Sequence, residues 1–271
     1  MRKKVTKLLV LAFVLVAPAT CKKEDFKVDK KENFPTTVAF TLKNDVDKEI
    51  FCSGTILSRK IILTAAQCLD SIKDDAGNLN VNNLMVVAGE ENLLNYRSNF
   101  KFGEQGFEQI FSVKRAVIHP HYKQERNENY VWDLAIVEVN EEINTKQNTH
   151  IQAAQLPPKE LILTGQRITF GVWEKTPEHN SMLNLIQAHV NPQEICEEYY
   201  GAEFDPKNMF CAGDKTTTDD TKGSGATIDV NEKTFLIGIV NFYINKNCQN
   251  TIGFQKIGTS LPWIFMETGL T

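Results

Sequence analysis

An all-β fold of antiparallel barrels or a sandwich is the class that this sequence predicts, on three observations. Short runs rich in Val, Ile, Leu and Phe recur along the chain. Polar turns separate them at nearly regular spacing, the signature of a sheet that folds back on itself. Only two segments, 192–200 and 260–266, read as helices. In chain order the predicted strands are 37–42, 50–56, 60–63, 84–88, 109–118, 134–139, 167–172 and 234–243. Each is bounded by residues that favour turns or solvent. The segments between Asn92 and Gly106 and between Glu174 and Gln187 carry no legible boundaries. The second helical segment closes the chain, and no repeat or heptad is present.

The N-terminus reads differently. Arg2, Lys3, Lys4 and Lys7 precede or begin an apolar run from Leu8 to Ala17, too short to cross a bilayer comfortably, and Ala17 and Ala19 have the spacing of a cleavage site. Residues 1–19 are therefore expected to be a secretory signal peptide, followed by a flexible Lys- and Asp-rich leader over 20–33. Order is expected from Phe34 onward. Secretion into the extracellular space follows from this reading.

Over all 271 residues the formal charge is −4, from 30 basic and 34 acidic side chains. Removal of Arg2, Lys3, Lys4 and Lys7 leaves 26 basic residues, so 26 minus 34 gives −8 for the mature chain. Such a surface disfavours nucleic acid and anionic membranes as partners. No Asn-x-Ser/Thr acceptor occurs. Six cysteines, an even number without a Cys-x-x-Cys pair, suit disulfides better than metal. His119 and His121 flank Pro120 without a third ligand and read as a surface turn. Neither a metal nor another cofactor is expected.

Several segments in one consistent order then resemble the chymotrypsin-like (trypsin family, S1-type) serine proteases over about residues 34–267. Phe51-Cys52-Ser53-Gly54-Thr55-Ile56-Leu57, Ile61 to Cys68, Val86-Val87-Ala88-Gly89-Glu90, His119-Pro120-His121-Tyr122, Asp133-Leu134-Ala135-Ile136-Val137, Leu156-Pro157 and Phe210-Cys211-Ala212-Gly213 each look like a landmark of that family. The resemblance implies two six-stranded antiparallel β-barrels, about 34–155 and 156–271, with a cleft between them and a C-terminal helix. It also implies disulfides Cys52–Cys68 and Cys196–Cys211. Each would close a loop of about 15 residues and add roughly 3 kcal/mol in the chain-entropy treatment.

The departures from the family pattern concern its chemistry. Where the family carries Thr-Ala-Ala-His-Cys, this chain reads Thr64-Ala65-Ala66-Gln67-Cys68. The histidine must accept the nucleophile's proton and return it, and a glutamine amide does neither. Asp133 remains at the acid position, where it can accept a hydrogen bond from Gln67. In place of Gly-Asp-Ser-Gly-Gly-Pro stands Gly223-Ser224-Gly225-Ala226-Thr227-Ile228. An ungapped register puts Gly225 at the nucleophile position; a one-residue deletion puts Ser224 there, without a base to activate it. The activation motif Ile-Val-Gly-Gly is absent between Thr20 and Phe34, as is the aspartate that would pair with its new amine.

The substrate pocket is altered too. Asp219 falls at its base in the ungapped register, or belongs to a solvated turn. Asn241-Phe242-Tyr243 replaces the family's Ser-Trp-Gly edge, so the resemblance implies a pocket filled by tyrosine, or an aromatic binding patch. Cys21 and Cys248 lack their family partners. They pair with each other, bond other chains, or stay free.

These departures point to a secreted serine protease homologue without proteolytic chemistry. As the resemblance implies, it would bind secreted proteins (proteases, their substrates or inhibitors) as regulator, cofactor or decoy in an extracellular cascade of immune or reproductive fluid. Two rivals stand beside this reading: a degenerate endopeptidase acting through Ser224, and a structural secreted protein linked through Cys21 or Cys248.

Overall fold

A computed structural model describes residues 35–43, 50–89, 109–124, 130–145, 150–158, 161–175, 181–213, 222–246 and 249–270. The signal peptide and leader expected over 1–33 lie outside the described residues, as do Cys21, Asp219 and Cys248.

Six strands close the first barrel: β1 (Thr37–Leu42), β2 (Cys52–Ile56), β3 (Ile61–Thr64), β4 (Leu84–Ala88), β5 (Gln109–Ile118) and β8 (Ala135–Val139). Their order around the ring is β1-β2-β3-β8-β5-β4, and β4 returns to pair with β1. Val38, Phe40, Ile62, Leu84, Val86 and Ile136 fill its interior. Such β-branched and aromatic residues fit a pleated, buried surface. Between β5 and β8 lies a two-stranded ribbon of β6 (Lys123–Gln124) and β7 (Tyr130–Val131).

The second barrel comprises β9 (Arg167–Lys175), β10 (Ser181–His189), β11 (Met209–Ala212), β12 (Gly225–Val230), β13 (Lys233–Lys246) and β14 (Gln249–Lys256), in the order β10-β9-β12-β13-β14-β11. Its edge strands meet at a single antiparallel bridge between Val190 and Ala212, where the Asn191 N–H donates to the Cys211 carbonyl at 2.9 Å. One end of this six-stranded sheet is therefore joined and the rest stays open, a half-closed barrel. Phe254 anchors its core, stacked on Phe210 at 4.9 Å and edge-on to Phe170 at 5.4 Å.

The linker stitches the two halves together. Ala154 N–H donates to Ile56 O in the first barrel, and Gln155 pairs in parallel with Phe235 in the second. The chain then ends in a helix, Leu261–Thr268, with Pro262 in its first turn and Gly269 in the left-handed conformation just beyond its end. Leu261, Trp263 and Ile264 are buried in the first barrel's core cluster, so the chain's last element returns to the first domain.

Six strands were not legible as such: the two-residue β6 and β7, and four longer ones. β10 (Ser-Met-Leu-Asn-Leu-Ile-Gln-Ala-His) and β14 (Gln-Asn-Thr-Ile-Gly-Phe-Gln-Lys) are too polar, β11 is short, and β12 opens with a glycine. Their pairing partners, rather than their own residues, hold them extended. β13 also runs longer than expected, over Lys233–Lys246. A five-residue helix, Ala66–Asp70, adds to the two that were expected at 192–200 and 260–266, which span Gln193–Tyr200 and Leu261–Thr268.

Candidate functional site

The short helix Ala66–Asp70 starts where β3 ends, and its N-cap, Ala65, has no side chain to satisfy the exposed N–H groups. Asp133 supplies that cap from the turn before β8, the strand paired with β3. Its Oδ1 accepts the Gln67 backbone N–H at 2.8 Å, and the Ala66 N–H adds to the same carboxylate. The Gln67 side chain completes the grip. Its Nε2 donates to Asp133 Oδ2 at 2.6 Å and to the backbone carbonyl of Asn241 in β13, also at 2.6 Å. Gln67 thus has both amide hydrogens committed, one to each barrel.

A sharp turn delivers Asp133. Trp132 has a φ of 55°, and the Leu134 N–H closes back on the Trp132 carbonyl at 2.8 Å. A bulky residue at positive φ is strained. The Trp132 ring is held by stacking on His119 at 4.8 Å, and His119 in turn sits edge-on to Trp263 at 4.6 Å.

Asp133 is fully buried, and burial raises its pKa from 3.8 to about 7, against the opposing pull of its Gln67 and Ala66 hydrogen bonds and the Lys222 charge. His119 is also buried. Burial, with the charge of His121 adding to it, lowers its pKa from 6.5 to about 4. The expected surface turn is therefore corrected in part: the turn exists, with Tyr122 N–H on His119 O, but His119 lies inside an aromatic nest and only His121 is exposed. Among the described residues no three His, Cys, Asp or Glu side chains gather as a metal site.

Neither expected candidate for the nucleophile position hydrogen-bonds to Gln67 or Asp133 by its side chain among the described residues. Ser224 is fully buried, and its hydroxyl donates to the Gly171 carbonyl at 2.6 Å, inside the second barrel. Gly225 begins β12 packed so closely on Thr55 that a Cβ would overlap its Oγ1, and Leu236 closes the other side. Lys222, just before both candidates, is the residue of this segment whose charge is felt at Asp133. Its carbonyl accepts the Ser53 N–H at 2.9 Å, beside the Cys52–Cys68 bond, and its charge acts on the Asp133 carboxyl. Gly223 follows at a φ of 83°, and a Cβ there would run into Ser53 O and Thr64 Oγ1. Only glycine fits this close approach between the barrels.

Asn241 is buried and contributes its carbonyl to Gln67; Phe242 and Tyr243 follow in β13, their side chains outside the description. The disulfides Cys52–Cys68 and Cys196–Cys211 are formed, with Cα separations of 5.9 and 5.7 Å. Sequence reading missed Lys222, the Asn241 carbonyl and the strained Trp132. The first lay one residue outside the motif under comparison, and the other two are backbone features with no side-chain signature.

A family model described as Trypsin matches residues 25–264. Among curated proteins the chain is 27% identical over 200 residues to a venom serine protease of Polistes dominula, covering 71% of this chain and 67% of that protein. It is 24% identical over 246 residues to chymotrypsin-like elastase family member 1 of Homo sapiens, covering 86% and 87%. Trypsin Tyr p 3.0101 of Tyrophagus putrescentiae is 29% identical over 226 residues, covering 79% and 70%.

Proposed function

This chain belongs to the trypsin family of serine proteases, and from that premise we propose that it is a member without proteolytic turnover, which acts by binding secreted proteins. The observation that carries the reading is the Gln67 amide, hydrogen-bonded at 2.6 Å to Asp133 Oδ2 and at 2.6 Å to Asn241 O. Acyl transfer by a serine needs a base that takes the hydroxyl proton and returns it. Here the group beside Asp133 is an amide donor with both hydrogens engaged. The hydroxyl nearest in sequence to the expected nucleophile position, Ser224, is buried and bonded to Gly171 O.

What the site does instead is structural. One side chain joins the helix after β3, the Asp133 turn and β13, holding the barrels in register across the cleft. A scaffold locked in this way presents loops, and the proposed partners are proteases, their substrates or their inhibitors. Its setting is taken to be extracellular, on the strength of the N-terminal signal pattern and two disulfides. No helix among the described residues is long and apolar enough to cross a membrane.

The rival endopeptidase reading requires Ser224 to be accessible, and its burial counts against it. An active-serine phosphonate reagent, applied to the purified mature protein before and after limited trypsin treatment, tests the proposal by intact mass. No adduct is expected in either state. A stoichiometric adduct lost in Ser224→Ala would overturn it.

A further inference from the structure

Between the second barrel and the C-terminal helix, with Trp132 on its wall, lies a cavity of about 790 Å³. Its size is in the range that holds small organic ligands, roughly 300–1,000 Å³. Its walls are mostly apolar: Leu161, Phe204, Phe210, Leu261 and Phe265 line it, and Ile162, 80% exposed, is among the lining residues. An exposed isoleucine over an apolar hollow marks a surface that gains by being covered.

Thr164, Asn191, Gln193 and Thr259 also line it, and two lysines are its only charged residues among those described. Lys256 is half-buried, with its ammonium on the Pro206 carbonyl at 2.6 Å, and Lys207, the next residue after Pro206, is exposed; both line the cavity. Neither is within ion-pair distance of a carboxylate among the described residues. The nearby acid, Asp205, directs its oxygens to the Lys207 backbone N–H and the Asn208 amide of its own turn. Burial lowers the Lys256 pKa, and the attraction of Asp205 offsets this only in part. A half-buried cation whose burial outweighs its attraction to the nearby acid is an unfavourable arrangement that a bound anion would relieve.

From this combination we infer that the cavity binds a long-chain carboxylate, its hydrocarbon tail along Leu161, Phe210 and Leu261 and its carboxylate on Lys207 and Lys256. The tail supplies affinity through buried apolar area, and the two ammonium groups fix its direction. This inference does not depend on whether the protein is a protease.

The test is titration of the full mature chain with cis-parinarate, whose emission rises in apolar surroundings, followed by displacement with oleate or with uncharged oleyl alcohol. Micromolar binding of parinarate is expected. Displacement by oleyl alcohol should need about tenfold higher concentration than by oleate, since it lacks the charge-assisted contacts. Lys207→Gln with Lys256→Gln should weaken parinarate about tenfold and abolish the preference. Ile162→Asp, a change at an exposed site that leaves packing intact, should weaken it as well. No saturable binding, equal displacement by alcohol and oleate, or unchanged affinity in the exposed-site variants Lys207→Gln and Ile162→Asp would each overturn the inference.

Discussion

Gln67 grips Asp133 twice, its backbone N–H on Oδ1 at 2.8 Å and its side-chain amide on Oδ2 at 2.6 Å, so that one residue donates to both oxygens of a fully buried carboxylate. The bonds are mutually dependent. The side-chain contact holds the carboxylate where it caps the helix, and the cap holds Gln67 where its amide also reaches Asn241.

Gln67→Ala should therefore cost more than its size suggests, because Asp133 Oδ2 and Asn241 O both lose a buried donor. A loss of about 1–3 kcal/mol for each unsatisfied group is the ordinary range. Urea unfolding with a fixed m-value measures it. Gln67→His restores an imidazole beside Asp133 but leaves Ser224 bonded to Gly171, and it should remain unlabelled by an active-serine phosphonate.

Restoring a serine at Gly225 should fail in a different way. Its Cβ would overlap Thr55 Oγ1 and press on Leu236. Gly225→Ser is expected to lower stability by about 1–3 kcal/mol, as overpacking does, without gaining turnover. Thermal unfolding and peptide hydrolysis together check both halves. The paired change Gly225→Ser with Thr55→Ala should recover part of the stability.

Acid response offers a further check, because two buried groups pull in opposite directions. Burial raises Asp133 from 3.8 to about 7, so the folded chain keeps a proton that the unfolded chain has released. Its contribution to stability is full below pH 3.8 and is lost as pH rises towards 7. His119 falls from 6.5 to about 4, so the unfolded chain takes a proton that the folded chain refuses. Its contribution is full above pH 6.5 and is lost as pH falls towards 4. Between these limits the two oppose, and the wild type should show a shallow profile. Asp133→Asn should make stability rise with pH across pH 4–6.5, whereas His119→Phe, which keeps the stack on Trp132, should make it fall. Denaturation midpoints across that window decide.

The disulfide from Cys196, in the helix Gln193–Tyr200, to Cys211, in β11, ties that helix to the sheet edge. Replacing both by Ala should cost about 2–5 kcal/mol. The change should leave the Gln67–Asp133 cluster intact, so its amide protons should keep their ranking of hydrogen-exchange protection.

The sequence by itself determined the all-β class, the six strands of the first barrel, both longer helices and the substitution of an amide for an imidazole at Gln67. These are properties that local residues impose. Runs of Val, Ile, Leu and Phe mark strands that are buried along most of their length, and Gln67 lacks a proton-accepting base in any fold. Tertiary structure alone decided the rest. β10 and β14 are strands because β9 and β13 offer them partners, not because Asn184 or Gln249 favours extension. Whether Gly225, Ser224 or Lys222 faces Asp133 depends on a register of one or two residues, which short glycine- and serine-rich segments leave undefined. Contacts set it instead: Gly223 fits where a Cβ would strike Ser53 and Thr64, and Ser224 finds its acceptor in Gly171, a residue 53 positions away. A chain encodes such distant pairings only through the packed whole.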